Sequence, residues 1–243
     1  MRPDPSSFQI LETTLYTADK GLFLLDQHLD RMQRSAHMLC TAYPDSFPTT
    51  QATATAVEAQ LRQALGTDSM AIQHGRARIL LSASGSLEVQ VIPSADAAAQ
   101  APPPPQLVLD SQASEGLQTS PFVACKTTHR LIYDTAASRT LQQHPQGSLV
   151  LLHNSDGHIT EANIANVAVL LPAGGEMQLV TPPVSDGLLA GTMRSHLLEA
   201  GQIVEGTVTV DDFKRAALNG WRVVCMNSVR GMFDVKPVVP LIG

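Results

Sequence analysis

The chain has four lysines, and one of them stands in a setting unlike the others. Lys20 precedes Gly21 in a polar turn, Lys214 lies in the charged segment DDFKR, and Lys236 sits in a proline-flanked tail. Lys126 ends the run PFVAC, which reads as a strand. Strand alternation would place it on the face of Phe122 and Ala124, opposite Val123 and Cys125. A lysine delivered by a buried strand is costly unless it is paired or chemically employed, and the employment in question is that of a nucleophilic amine and a base. A strand-end lysine that snorkels to water is the alternative, and the residue alone does not choose between them. His153 and His158 flank an Asp156-Gly157 turn; with no third ligand in view they read as exposed turn histidines, and no metal is expected. No P-loop, no GxGxxG after a strand, no HExxH and no GxSxG is present, so phosphoryl transfer, dinucleotide binding, zinc proteolysis and the hydrolase elbow lose their usual signals.

The elements that must position these residues fall on both sides of a composition change at residues 95 to 106, where alanines give way to four prolines that favour an extended connector. Before it, FQILETTLY reads as a strand. In the helix that follows, Asp26 can serve as cap and Leu29, Met32, Ala36 and Leu39 repeat at helical spacing. A second helix near TAVEAQLRQALG ends at Gly66, and ARILLSAS and SLEVQVI form two strands about a Ser84-Gly85 turn. After it come a short strand at Gln106 to Asp110, the PFVACK strand, a helix in RLIYDTAASRTLQQ and a hairpin through Asp156-Gly157. The strands NVAVLL, MQLVT and WRVVCMNSV and a helix closed by Gly201 complete it. The expected division is a small α+β domain at 1–98, a proline-rich linker at 99–106 and a larger domain at 107–243. A cleft between two such domains is a common place for a ligand.

Composition narrows the partners. The 243 residues are 44% hydrophobic and 16% charged, with net charge −6 and no run of Lys and Arg. That argues against a nucleic-acid backbone or an anionic membrane and for a small organic ligand. Three widely spaced cysteines, Cys40, Cys125 and Cys225, suit a reducing compartment, and with no signal-like start or membrane span in view the expectation is a cytoplasmic protein.

Six segments carry a more specific pattern: LET at Leu11 to Thr13, HLDRM at His28 to Met32, KTTHRLIYD at Lys126 to Asp134, TEANIANVAV at Thr160 to Val169, TPPVSDGLLAGTMR at Thr181 to Arg194 and NSVRG at Asn227 to Gly231. In this order and spacing the chain resembles the fold-type IV pyridoxal-phosphate enzymes, and its wording is most similar to the aminodeoxychorismate lyases. Ala162 and Asn163 depart from the Gly and Thr common in related sequences. The resemblance implies an α/β (α+β) two-domain fold like that of D-amino-acid aminotransferase, with pyridoxal 5'-phosphate in the interdomain cleft. It also implies a homodimer acting on a small-molecule amine. The implied reaction converts 4-amino-4-deoxychorismate to 4-aminobenzoate and pyruvate. An aminotransferase acting on amino acids or amines uses the same residues, and a cofactor-binding homologue without catalysis is a third alternative, against which Lys126, Glu161 and Arg31 argue.

The resemblance also implies roles. Lys126 would form the Schiff base and move the proton, Glu161 would hold the pyridinium nitrogen, and Tyr133 would pack near the lysine. Arg31, Ser228 and the helix start at Gly191, Thr192 and Met193 would bind the phosphate, where a guanidinium fork and free backbone N–H groups favour an anion. Asn166 would shape the turn around Glu161. Arg130, Arg230 and Asn163 would face the substrate, although a structural ion pair explains either arginine equally well.

Overall fold

A computed structural model describes residues 2–50, 52–66, 72–94, 103–173 and 175–240. The chain divides into two compact units, one of residues up to 102 together with Cys125–His129, the other of Pro103–Ala124 and the chain from Arg130 onward. Residues 95–102, which hold the expected boundary and half of the proline-rich linker, lie outside the described residues.

In the first unit, β1 (Ile10–Thr17) buries Ile10, Glu12, Thr14 and Tyr16 on the face that strand alternation assigns them. β2 (Gly21–Leu22) follows, then α1 (Leu25–Ala42), α2 (Ala54–Leu65), β3 (His74–Leu81) and β4 (Leu87–Pro93), and the antiparallel sheet order is β2-β1-β3-β4. α1 buries Leu29, Met32, Ala36 and Leu39 as their spacing predicts, each of the larger side chains contributing about 1.5–3 kcal/mol. Asp26 is not its cap. The helix begins two residues earlier, from Leu24 in the left-handed region at φ 54, and Asp26 lies in the first turn, where a carboxylate still suits the positive helix end. α2 starts at Thr53, whose hydroxyl accepts from the Ala56 N–H, and stops at Gly66. Gly85, at φ +85, turns β3 into β4 with its Cα so close to Pro48 that a Cβ would lie 2.6 Å from the proline ring.

The second unit contains β5 (Gln106–Leu109), α3 (Pro121–Ala124), α4 (Leu131–Thr140), β6 (Leu149–His153), β7 (Ile159–Ala162), β8 (Asn166–Ala173) and β9 (Glu176–Thr181). It continues with α5 (Thr192–Glu199), β10 (Val204–Glu205), α6 (Val210–Asn219), β11 (Val223–Asn227), β12 (Gly231–Asp234) and β13 (Lys236–Val238). Among the described residues these strands form two sheets, β10-β9-β8-β11-β12 and β13-β5-β6-β7, with parallel pairs β9–β10, β5–β13 and β5–β6. Their shared core includes Leu107, Leu151, Val167, Val169, Phe213 and Cys225. No helix of the described residues is long and apolar enough to cross a membrane.

The strand expected over PFVACK does not form. Ser120 and Pro121 start a helical turn there instead: the Val123 and Ala124 N–H groups bond the Ser120 carbonyl, and proline suits a helix's first position. Past Cys125 the chain straightens and is stitched to the start of β1. Leu11 N–H donates to the Lys126 carbonyl and Thr128 N–H to the Gln9 carbonyl, each at 2.9 Å, and Thr127 bridges Ile10. These bonds are why Cys125–His129 groups with the first unit. Lys126 is therefore half-buried in an extended connector, not carried on a buried strand.

Candidate active site

Glu161 lies on β7, which is buried along its whole length, and the residue is 4% exposed. A carboxylate buried this deeply must be hydrogen-bonded. Oε1 accepts from the Tyr133 hydroxyl at 2.7 Å and from the Leu189 N–H at 3.0 Å, and Oε2 accepts from Asn166 Nδ2 at 3.1 Å. Asn166 reaches it because Ala162 and Ala165 bridge across a tight turn that brings the chain back on itself; the same Nδ2 donates to the Leu189 carbonyl at 2.9 Å. Burial, with the Glu161 carboxylate beside it, pushes the Tyr133 phenol well above its usual 10, so this hydroxyl stays a donor. The partner of the Tyr133 hydroxyl, which the sequence did not indicate, is Glu161.

Two residues after Leu189, Gly191 opens α5 with no side-chain cap. A Cβ at Gly191 would lie 1.8 Å from Asn166 Oδ1, so only glycine lets the helix start approach this closely. The Thr192 hydroxyl is buried with no hydrogen-bond partner among the described residues. Uncapped N–H groups, the positive end of the helix and an orphaned hydroxyl together fit an anion. Met193 is buried among Ala168, Leu197, Val224 and Met226, so its backbone rather than its side chain is the part that an anion would meet. β11 pairs Met226 with Asn166, and Ser228, buried, follows two residues later in a turn whose Val229 and Arg230 N–H groups bond Asn227 Oδ1.

In the first unit a polar triad fills the space between β1 and α1. Glu12, fully buried, accepts from His28 Nδ1 at 2.6 Å and from Arg31 through Nε at 2.9 Å and Nη2 at 2.5 Å. Burial pushes the Glu12 carboxyl up, but the Arg31 charge and the hydrogen bonds from His28 and Arg31 outweigh it and hold the group at about 2. Arg31, beside the apolar stripe of α1, is buried because Glu12 makes the adjacent polar stripe of His28, Arg31 and Ser35 worth burying. His28 Nε2 is buried without a hydrogen-bond partner among the described residues. The Lys126 carbonyl is bonded to Leu11, the residue before Glu12. Cys125 is buried, its thiol bonding the Ser35 carbonyl, and burial pushes it up to about 11.

The remaining candidates have contacts of their own. Arg130 donates to the Asn163 carbonyl, and its guanidinium lies 4.8 Å from the centre of the Tyr133 ring. Asn163 also accepts from the Val150 N–H. Arg230 is exposed and lies over the Phe233 ring. His158 Nδ1 is 3.2 Å from Asp186, and no group of three or more metal-ligating side chains occurs among the described residues.

Sequence reasoning gave no role to Glu12, His28 or Leu189. The first two had a signal: Glu12 falls in alternation with Ile10, Thr14 and Tyr16, and a carboxylate on a buried strand face demands basic partners, which His28 and Arg31 supply three residues apart on one helix face. Leu189 acts through its backbone and leaves no side-chain signal.

A model of the amino-transferase class IV family matches residues 9–238. A Schizosaccharomyces pombe protein provisionally named as an aminodeoxychorismate lyase is 38% identical over 235 residues, covering 94% of this chain and 90% of its own. The aminodeoxychorismate lyase of Saccharomyces cerevisiae is 34% identical over 130 residues, 49% of this chain and 34% of its own. A crystal structure from Mesorhizobium loti, provisionally described as an amino-acid aminotransferase, aligns with a TM-score of 0.75 and 27% identity over 95% of this chain and 100% of that one. With a family match that omits only the chain ends and a relative aligned along nearly its full length, the chain belongs to the amino-transferase class IV family.

Proposed function

We propose that the protein is a pyridoxal-phosphate-dependent lyase that converts 4-amino-4-deoxychorismate to 4-aminobenzoate and pyruvate. The observation that carries this reading is the 38% identity to a lyase-named relative over 94% of the chain. The chemistry of the buried groups supports it. Pyridoxal phosphate, when bound, supplies an aldehyde that condenses with amines and a protonated ring that accepts electrons from the adjacent carbon.

Lys126 is assigned as the amine that holds the cofactor covalently and, once released by the substrate amine, as the base at the amine-bearing carbon. Glu161 is assigned to the ring N–H: its Oε1 already takes two donors and Oε2 one, and Tyr133, Asn166 and Leu189 hold it aimed. The α5 start, with Thr192, fits the phosphate, and Arg31 and Ser228 are assigned to the same group. Arg130, Asn163 and Arg230 are assigned to the substrate side. Loss of the proton from the amine-bearing carbon, with departure of the enolpyruvyl oxygen, leaves an aromatic ring and the enol of pyruvate, which takes up a proton as it becomes the ketone. No oxidant, water or second substrate is consumed. We further propose a homodimer working in the cytoplasm, with domain limits near residues 98 and 107.

Aminotransfer is the second reading, supported by the structural likeness to the Mesorhizobium loti protein. The two separate in one assay. Given aminodeoxychorismate and no keto acid, the lyase makes 4-aminobenzoate and pyruvate in equal amounts over many turnovers. An enzyme that leaves this substrate untouched, while an amino acid converts its cofactor once to pyridoxamine phosphate and a keto acid restores it, is an aminotransferase.

A further inference from the structure

We infer that Asn154 and Asp186 are positioning residues that hold, from outside the site, the segment on which both the Glu161 contact and the α5 start depend. The inference rests on the pyridoxal-phosphate reading of that site. Residues 182–191 contain only a 3₁₀ turn at Val184–Asp186, so most of the segment has no ladder of its own to keep it in place. Yet Leu189 gives its N–H to Glu161 and takes Asn166 Nδ2 on its carbonyl, and Gly191 begins α5 two residues later. A displacement of this segment by an ångström would disturb the carboxylate and the helix start together.

The segment is anchored at one end. Asn154, fully buried in the turn after β6, donates through Nδ2 to the Asp186 carbonyl at 3.0 Å. Its Oδ1 accepts from the Asp156 and His158 N–H groups, each at 3.0 Å. One amide therefore reads the hairpin turn with its oxygen and the segment with its nitrogen. Asp186 Oδ1 faces His158 Nδ1 at 3.2 Å, so side chain and backbone of one residue are both tied to the same hairpin. Next in the chain, Gly187 at φ +94 is pressed so closely against Leu117 and Gln118 that a Cβ would lie 2.6 Å from the Leu117 Cβ. Asp186 Oδ2, meanwhile, is buried with no hydrogen-bond partner among the described residues. Such an oxygen lowers stability, so placement of the segment explains this carboxylate better than stability does. Their effect passes through Leu189, whose N–H bonds Glu161.

N154D isolates the link. It keeps the oxygen that serves the hairpin turn and replaces only the NH2 group that reaches Asp186. In the full-length protein, the dissociation constant for pyridoxal phosphate, titrated by visible absorption, should rise at least tenfold. Without added cofactor, hydrogen–deuterium exchange of a peptide covering 187–193 should quicken at least tenfold while one covering 223–227 keeps its wild-type rate. Either unchanged affinity (within twofold) or unchanged exchange at 187–193 overturns the inference. Wild-type protein that takes up no pyridoxal phosphate overturns the cofactor reading itself, which separates that failure from this one. If N154D does not fold, D186N serves, because it leaves the Asn154 bonds intact and weakens only the pairing with His158; the same two readouts should move in the same direction by at least threefold, and their constancy overturns the inference.

Discussion

The Tyr133 hydroxyl donates to Glu161 Oε1 over 2.7 Å, with both side chains buried. A phenol held this far from ionisation acts on the carboxylate only as a donor, and removing it takes away one of the hydrogen bonds that hold Glu161 in place. Y133F should keep its cofactor and lose at least about tenfold in kcat, as expected for one hydrogen bond to a charged group. Steady-state kinetics beside a cofactor titration would show it; an unchanged kcat would assign Tyr133 to packing alone.

Glu161 itself should matter more. E161Q cannot stabilise a ring cation, so turnover should fall by about 100-fold or more while the phosphate anchor remains. Cofactor affinity within a few-fold of wild type, measured with the loss of rate, distinguishes this from general damage to the site. Near-normal turnover at saturating cofactor would remove the electron-accepting role.

Thr192 gives a prediction of opposite sign for the two states. Its buried hydroxyl has no partner among the described residues, so T192V should leave the cofactor-free protein as stable as wild type or more stable by up to about 1 kcal/mol. The same change should weaken pyridoxal phosphate binding by roughly fivefold, the loss of one modest hydrogen bond. Thermal unfolding with and without cofactor reads both. Loss of stability without cofactor would mean that the hydroxyl serves the fold.

Acid should expose the triad of Glu12, His28 and Arg31. The Glu12 carboxyl is depressed from 4.5 to about 2, so its contribution is present above the unfolded value, near 4.5, and is lost as pH falls toward 2. A shift of that size corresponds to about 3 kcal/mol. Urea unfolding should therefore show stability falling between pH 4.5 and 2 in the wild type, with that component missing in E12Q. E12A, which strands a buried arginine, should lose roughly 3–5 kcal/mol at neutral pH. R31A should weaken pyridoxal phosphate binding by about 1.5–3 kcal/mol if Arg31 also meets the phosphate.

Much of the fold was legible where local chemistry and tertiary packing agree. The Leu29, Met32, Ala36 and Leu39 stripe, the Gly66 stop, the Gly85 turn and the Asp156-Gly157 hairpin each follow from spacing or from a positive φ. PFVACK misled because five apolar or small residues say strand by pattern, whereas Ser120 and Pro121 nucleate a helical turn by backbone chemistry. Arg31 lies beside the apolar stripe that a helical wheel marks for burial; its own burial depends on Glu12, nineteen residues earlier on another element. Leu189 and Asn154 were invisible for related reasons. One contributes an amide that every residue has, and the other's partner is a backbone carbonyl 32 residues away.

The central claim is that pyridoxal phosphate is held on Lys126, and borohydride reduction followed by peptide mapping tests it most directly. Reduction of cofactor-saturated protein should fix one pyridoxyl group on the Lys126 peptide and none on Lys20, Lys214 or Lys236. An adduct on any of those three, or no adduct at all from saturated protein, would contradict the account.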